Sequence, residues 1–355
     1  MSGNTSERRL IHVTESFASG TAAAIGDYVR NYPDAEHHLI YSTRAEASIE
    51  MDSLERFAST TEMPEGTLSR VRFLRRTLRG ARPAVVHAHS SKAGVYVRVA
   101  LRDSRRSPVV YTPHCYAFER RDVPGAVRSG FRSAEWMLSF NTSAVGACSP
   151  RESELSSWPL SRPRTVTVPN VAPSLIPARR AGDPSSPLRI AGNGRLGPQK
   201  DARFFAEAVS SARSDGIDVD AVWIGGGDDE IARHLLDSGV DVTGWCSREQ
   251  ALKILATCDV YFHTAQWEGF PISILEATTA GLPVIARAQP YIRGFEMPMT
   301  VAQPSELGDV LTALRDRDTY GSRVEATRRA LADNNDEAQR AALRHLYDPL
   351  FEVMS

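Results

Sequence analysis

The 355-residue chain has very little lysine: of its 42 basic residues only Lys92, Lys200 and Lys253 are not arginine. Cysteine is also sparse. Cys115, Cys148, Cys246 and Cys258 lie far apart with no C-x-x-C pair, which excludes a disulfide framework and the usual zinc spacings. Free or buried thiols in a reducing, cytoplasmic setting are therefore expected. No apolar run approaches the roughly 18 residues that span a bilayer. The opening "MSGNTSERRL" lacks the apolar core of a signal peptide, so export is not expected either. No D-x-D stands at a strand end, and Asp228 and Asp229 after the glycines are adjacent, so a carboxylate-bound metal is not expected. Internal repeats and low-complexity tracts are absent as well.

What is present is ordinary for a globular protein: 42% hydrophobic and 24% charged residues. The length fits two domains of roughly 170 residues each. Charge is unevenly divided. Residues 1–172 carry 23 Lys+Arg against 17 Asp+Glu, and residues 173–355 carry 19 against 26. A basic first half is suited to an anionic partner.

Strand-like runs alternate with helical stretches: "RLIHVTES" then "GTAAAIGDYVRN", "AVVHAHS" then "KAGVYVRVALRD", "SAVGACS" then "RESELSS". This rhythm predicts an α/β fold with a parallel, doubly wound sheet. The segment 173–187, rich in Pro, Ser and Arg, reads as a linker. The alternation then restarts at "LRIAGNG" and runs to "LPVIARA". The expected layout is an N-terminal Rossmann-like domain at 1–172 and a second at 188–334. Helices at 335–355 are expected to return to the first. Two such domains would face each other across a cleft, with ligands outside the carboxyl ends of the strands.

"AGNGRLGPQKD" contains G-x-G-x-x-G at Gly192, Gly194 and Gly197. A dinucleotide site needs an acid capping the second strand of the unit, about 20 residues on. Here that strand, "DAVWIGGG", ends in Gly225, Gly226 and Gly227, and Asp218 stands before it. Pro198 follows the third glycine, where a Rossmann helix should already run. The dinucleotide reading fails on both counts. The loop instead offers Arg195 and Lys200 among glycines, just before a helix starting near Asp201, a place for a diphosphate.

"WEGFPISILEATTAGLPVIA" places Glu268 and Glu276 eight apart. Pro271 fits the first turn of a helix and Gly281 its end. Free N–H groups of Ile272, Ser273 and Ile274 would then present the positive helix end. A sugar nucleotide laid along this helix would have phosphates at the amide end and one carboxylate at each end for vicinal hydroxyls.

These residues resemble glycosyltransferase family 4, the retaining GT-B enzymes with an E-x7-E signature. The resemblance is specific in "GRLGPQKD", "VTGWCSREQALKILATCDVYF" and the E-x7-E stretch. "HAHSSKAG", "YTPHCYAF" and "SPRESEL" with "VPN" carry it more faintly. The resemblance implies that Arg195 and Lys200, with Gly194, neutralise the donor diphosphate and that Glu276 holds the ribose. It gives Glu268 the transferred sugar, together with Gly269, Phe270, Pro271, Ile272 and Ser273. Gly244 and Trp245 would border the base, His114 would stand near the anomeric centre, and Gly20 would lie in the loop after the first strand. Among members, "HSSKAG" and "TPH" are most similar to enzymes of capsular or exopolysaccharide assembly.

The implied activity is retaining transfer of a hexose or N-acetylhexosamine from a nucleotide sugar, a UDP-sugar by family habit. The acceptor would be a sugar or a lipid-linked glycan, with no metal, no other cofactor and no nucleic acid. A related epimerase and a non-catalytic nucleotide-sugar-binding subunit stay open as alternatives. The first loop reads "ASGTAA" in place of a double glycine, and "RAQPYIRGFEM" replaces the usual glycine pair and acid, so Glu296 receives no role. His87 and His89 share one face of a strand and could ligate a metal, but strand-end hydrogen bonding fits better without a third ligand nearby. His263, on a buried-looking strand, reads as a core residue or as one standing just behind the site. "LSRVRFLRRTLRGAR" at 68–82 carries six arginines with Val71, Phe73, Leu74 and Leu78 between them. It reads as a basic amphipathic helix for the surface of an anionic membrane or for an acceptor's phosphates.

Overall fold

The computed structural model describes residues 8–17, 19–42, 54–80, 83–173 and 187–354. They form two units, Met1–Val171 with Asn335–Ser355, and Ala172–Asn334. Apart from its ends, the linker at 173–187 lies outside the described residues.

In the first unit, β1 (Arg9–Thr14), α1 (Ser19–Asn31), β2 (Glu36–Tyr41), β3 (Ser59–Glu62), α2 (Thr67–Gly80) and β4 (Val85–His89) are followed by α3 (Ser91–Ala100) and β5 (Val109–Thr112). Then come α4 (Gly125–Ser139), β6 (Ala144–Ala147), α5 (Pro150–Leu155) and β7 (Arg164–Thr167). The strands form one parallel sheet in the order β3-β2-β1-β4-β5-β6-β7. Its central strands are buried at successive positions because both faces are covered. Leu74 and Leu78 of α2 join Ala93, Tyr96 and Val97 of α3 over Val86 and Val109. On the other face Tyr28 and Tyr32 of α1 cover Val85 and Val110. The strand order reverses between β1 and β4, where an open α/β sheet leaves a crevice.

The second unit runs β8 (Leu188–Asn193), α6 (Ala202–Ser214), β9 (Val219–Ile224), α7 (Asp229–Asp237), β10 (Asp241–Val242) and α8 (Arg248–Leu255). It continues with β11 (Val260–His263), α9 (Ile272–Thr279), β12 (Val284–Arg287), β13 (Thr300–Val301), α10 (Leu307–Ala313) and α11 (Arg317–Ala330). Its parallel sheet has the order β10-β9-β8-β11-β12-β13, so the reversal falls between β8 and β11. The glycine loop leaves one of these strands and the E-x7-E loop leaves the other. The last helix, α12 (Asp336–Met354), belongs to the first unit, where Leu343, Leu346, Tyr347 and Phe351 complete the α1 face of the sheet.

The basic stretch at 68–82 forms most of α2, a two-faced helix whose apolar side meets the core of the first unit and whose arginines face outward. Leu74 and Leu78 of α2 are buried, Val71 and Phe73 pack on the same core, and Arg72, Arg75, Arg76 and Arg79 are exposed. Exposed apolar side chains gather instead on α4. Trp136, Met137 and Phe140 are exposed there, and Leu160 is exposed nearby at 87%. The Trp136 and Phe140 rings meet at 5.8 Å, and Trp136 Nε1 donates to Pro159 O at 2.8 Å, drawing the Leu160 turn against the helix. No helix among the described residues is long and apolar enough to cross a membrane.

Beneath this surface Arg98 and Glu135 are both buried, with Nη2 and Oε2 2.7 Å apart. Tyr111 OH donates to Glu135 Oε1 at 3.0 Å, and the guanidinium lies 3.9 Å from the Tyr111 ring centroid. Removing one partner leaves a buried charge uncompensated. Glu135→Ala should therefore lower the unfolding free energy by about 3–5 kcal/mol. A denaturant midpoint equal to that of the parent would contradict this.

Candidate active site

The glycine loop after β8 rests directly on the loop after β9. Gly194 takes φ +124° and Gly225 φ +140°, and a Cβ on Gly225 would lie 2.3 Å from Gly194 O. Only glycine at 225 permits this approach. Leu196 N donates to Gly226 O at 2.9 Å, and Trp223 Nε1 donates to Gly194 O at 2.9 Å. Gly197 to Lys200 then form a turn, and α6 begins only at Ala202, capped by Asp201. No helix N-terminus follows the third glycine directly, in agreement with the failure of the dinucleotide reading.

The same turn is fastened to the loop after β11. Gln266 N donates to Gln199 O at 2.8 Å, and Thr264 Oγ1 donates to Lys200 O at 2.8 Å. Asp201 Oδ2 accepts from Gln266 Nε2 at 2.8 Å and from Arg287 Nη1 at 2.6 Å. These bonds bring Lys200 Nζ into an ion pair with Glu268 Oε1, while Gln199 Nε2 lies 3.3 Å from Glu268 Oε2. Eight residues on, Glu276 Oε1 accepts from Arg248 Nε at 3.0 Å and from Nη2 at 2.9 Å. Each carboxylate of the E-x7-E pair is thus held by a cation from another segment.

Pro271 is the N-cap of α9 and not part of its first turn. The helix mouth is also narrower than expected, because Ile274 N donates to Pro271 O at 3.2 Å. Ile272 and Ser273 are left as the forward amides. Ser273 Oγ meets Tyr261 OH at 2.9 Å, and the same hydroxyl lies 2.9 Å from Asn193 Oδ1 and 3.1 Å from His263 Nδ1. Phe270 is buried with its ring 4.4 Å from that of Phe295, next to Gly269. Arg195 is exposed, its stem close to Gly227. Gly244 takes φ +69° and Trp245 is 59% exposed, beside an open depression of about 400 Å³ that Thr243, Cys246 and Gln250 also line.

In the first unit, Gly20 stands in the first turn of α1 and not in a loop before it. His114 follows β5 in a left-handed conformation, φ +48°, and Cys115 after it has φ +90°. Two consecutive strained residues need an anchor. Buried Glu152 of α5 supplies it: Oε1 accepts from Cys115 N at 2.7 Å and Oε2 from Cys148 N at 2.8 Å. Burial raises this carboxyl, and the two amides oppose the rise.

Behind His114 lies a row of imidazoles. His114 Nε2 is 3.1 Å from His89 Nδ1, His89 Nε2 is 3.0 Å from His12 Nδ1, and His12 Nε2 is 2.9 Å from His37 Nδ1. His37 Nε2 ends the row 2.7 Å from Tyr32 O. His87 stands to one side, bonded to Tyr347 OH at 2.6 Å and Thr112 Oγ1 at 2.8 Å. His12, on the strand beside β4, is the spatial third partner of His87 and His89 that the sequence did not reveal.

Two families match the chain: "Glycosyl transferase 4-like domain" over residues 11–171 and "Glycosyl transferases group 1" over residues 180–295. The chain belongs to the GT-B glycosyltransferases of the family 4 type. This glycosyltransferase is 31% identical over 222 residues to the UDP-Gal:alpha-D-GlcNAc-diphosphoundecaprenol alpha-1,3-galactosyltransferase of Escherichia coli, an alignment spanning 57% of each chain. It is 23% identical to an uncharacterized 41.2 kDa protein in the cps region of Klebsiella pneumoniae, over 78% of this chain and 80% of that one. Among solved structures, Anabaena HepE in complex with UDP and glucose superposes with a TM-score of 0.74 at 16% identity, over 95% and 98% of the two chains. The lipopolysaccharide outer core galactosyltransferase WaaB does so at 0.65 and 15% identity, with the same coverage.

The structure therefore brings Gly194, Lys200, Glu268 and the mouth of α9 together in the enzyme's second unit. His114 and Gly20 lie in the first. Arg248, Gln199, Glu152, His12 and His37 were not singled out from sequence. Gln199, Arg248 and Glu152 lie within stretches that carry the family resemblance, but the partner each one meets is set by distant segments.

The imidazoles of His12, His37, His87, His89 and His114 are all pushed down by burial, His114 to about 4. They stay neutral in the fold and take up protons when it opens. Their contribution is present above the unfolded value near 6.5 and is lost as pH falls toward the folded values. Urea unfolding at pH 7.0 and 5.5 should show stability falling with pH, by up to about 1.4 kcal/mol per pH unit for each histidine. An unchanged midpoint would refute this.

Proposed function

We propose that the enzyme transfers a hexose or N-acetylhexosamine from a UDP-sugar to a sugar or lipid-linked glycan acceptor. Transfer retains the anomeric configuration, needs no metal and serves cell-envelope or exopolysaccharide assembly in the cytoplasm. The observation that carries this reading is the meeting of Lys200 and Glu268 beside the mouth of α9. A cation suited to a diphosphate and a carboxylate suited to vicinal hydroxyls match one ligand bearing both groups. The printed name of the E. coli relative, with its UDP-Gal donor and diphosphoundecaprenol acceptor, and the UDP bound to HepE support the choice of donor and acceptor.

In this mechanism the bond from the anomeric carbon to the β-phosphate oxygen breaks while the acceptor oxygen bonds the same carbon on the same face. The acceptor's proton passes to the departing phosphate oxygen. Charge growing on that phosphate is met by Lys200, Arg195 and the amides of Ile272 and Ser273, the role a metal has elsewhere. Glu268 orients the sugar, and Glu276, steadied by Arg248, takes the ribose hydroxyls. Gly244 and Trp245 border the base, and His114 serves the transferred sugar. Before donor binds, the Lys200–Glu268 and Arg248–Glu276 pairs keep half-buried charges compensated and in place.

Lys200→Ala should lower turnover roughly 30- to 1,000-fold (about 2–4 kcal/mol), with the acceptor KM little changed. Glu276→Ala should reduce the thermal stabilisation given by UDP and by UDP-galactose. Parental turnover in Lys200→Ala, or parental UDP stabilisation in Glu276→Ala, would remove the assignment.

A lipid-linked acceptor calls for contact with an anionic membrane. The exposed patch of Trp136, Met137, Phe140 and Leu160, with Arg132 and Arg162 exposed close by in sequence, supports it. The chain should pellet with phosphatidylglycerol vesicles at physiological salt, and Trp136→Ser with Phe140→Ser should release it. No pelleting of the unsubstituted chain would rule this contact out.

A further inference from the structure

The row of imidazoles behind His114 ends at a group that can only accept. Tyr32 O has no proton to give, so the proton of neutral His37 sits on Nε2 and its Nδ1 is bare. His12 Nε2 must then be the donor to His37 Nδ1, which leaves His12 Nδ1 bare for His89 Nε2–H. His89 Nδ1 is bare in turn and accepts from His114 Nε2–H. One carbonyl thus dictates the tautomer of four rings through four hydrogen bonds. We infer that this row locks His114 with its proton on Nε2, so that Nδ1 is presented as an acceptor-only group to a hydroxyl of the sugar substrate. His12, His37 and His89 are its positioning residues. The tautomer follows from the hydrogen bonds alone, while the identity of the ligand rests on the proposed sugar transfer.

The neighbouring bonds agree. Thr112 Oγ1 donates to Gly146 O at 2.7 Å and so must accept from His87 Nε2–H, which leaves His87 Nδ1 for the Tyr347 hydroxyl. Both nitrogens of His12, His37, His87 and His89 therefore have complementary partners. His12, His87 and His89 lie close enough together to resemble a metal site, but a metal there would have to displace bonds already matched. His114 Nδ1 has no hydrogen-bond partner among the described residues.

The row does not conduct protons, because its inner end is an amide carbonyl with nothing to titrate. Burial also disfavours a charge on any member. What it carries is direction. The opposite tautomer at His114 would set two bare nitrogens 3.1 Å apart, or require all four rings to switch and His37 to face the carbonyl with a lone pair. An acceptor-only nitrogen recognises a hydroxyl and rejects an analogue that lacks it, because its own buried partnership cannot adjust.

Two-bond proton–nitrogen spectra of the full chain labelled with 15N-histidine read each tautomer directly and need no variant. They should show His114 protonated on Nε2 at neutral pH. His37→Leu, which can neither donate to Tyr32 O nor accept from His12, should leave His114 a mixture of tautomers. It should also lower kcat with UDP-galactose ~tenfold, with the donor KM within about twofold. His37→Gln, whose amide can make both bonds, should restore the single tautomer and the rate. A His114 proton on Nδ1 in the unsubstituted chain, or a tautomer unmoved in His37→Leu, overturns the lock. A shifted tautomer with parental kcat overturns the role given to Nδ1. An Nε2–H signal in an unsubstituted chain that transfers no sugar would instead fault the proposed sugar transfer.

Discussion

In the second unit two backbones come so close that Gly225 can carry no side chain against Gly194 O. The glycine loop can fold back over the end of β9 only because of this approach. The fold-back carries the turn with Lys200 to the loop with Glu268, where Thr264, Gln266 and Asp201 fasten it. The ion pair is therefore the outcome of backbone geometry fixed two segments away. Without that contact Lys200 would be one more solvated cation on a flexible stem. With it, a point charge is held at one end of an acidic helix loop.

The two units solve the problem of placing polar groups by different means. The second works with full charges, cation against carboxylate, each pair half-buried and left with oxygens to spare. The first works with neutral rings. His12, His87 and His89 are completely buried, and a formal charge among them would be costly, so order comes from matching donors to acceptors. Glu152 adds the remaining constraint by pinning the left-handed backbone at His114 and Cys115. Electrostatic strength and tautomeric order sit in separate sheets.

Much of this was legible in sequence where the relevant residues are close together. Glu268, Pro271, Glu276 and Gly281 occur within fourteen positions, and their order spells a loop, a helix and its end. The alternation of strands and helices likewise announced two parallel sheets, because buried parallel strands need apolar runs on both faces. What could not be read depends on register between distant strands. His12 and His87 become neighbours only because β1 pairs with β4, 75 positions later. Arg248 opens α8 within a stretch that carries the resemblance, but nothing local ties it to Glu276. For the arginine-rich helix α2, periodicity shows an apolar side, but the core that receives Leu74 and Leu78 is built by other segments.

The last helix has a practical consequence for dissecting the molecule. The second unit is one unbroken stretch of chain, whereas the first is closed by α12, whose residues arrive only after the second unit has been made. Leu343, Leu346 and Tyr347 cover Leu10, Val85 and Val110. A fragment ending at Val171 would leave that sheet face bare and take from His87 the hydroxyl that completes its bonding. During synthesis the N-terminal sheet must wait, half-dressed, for the nineteen residues of α12 to leave the ribosome.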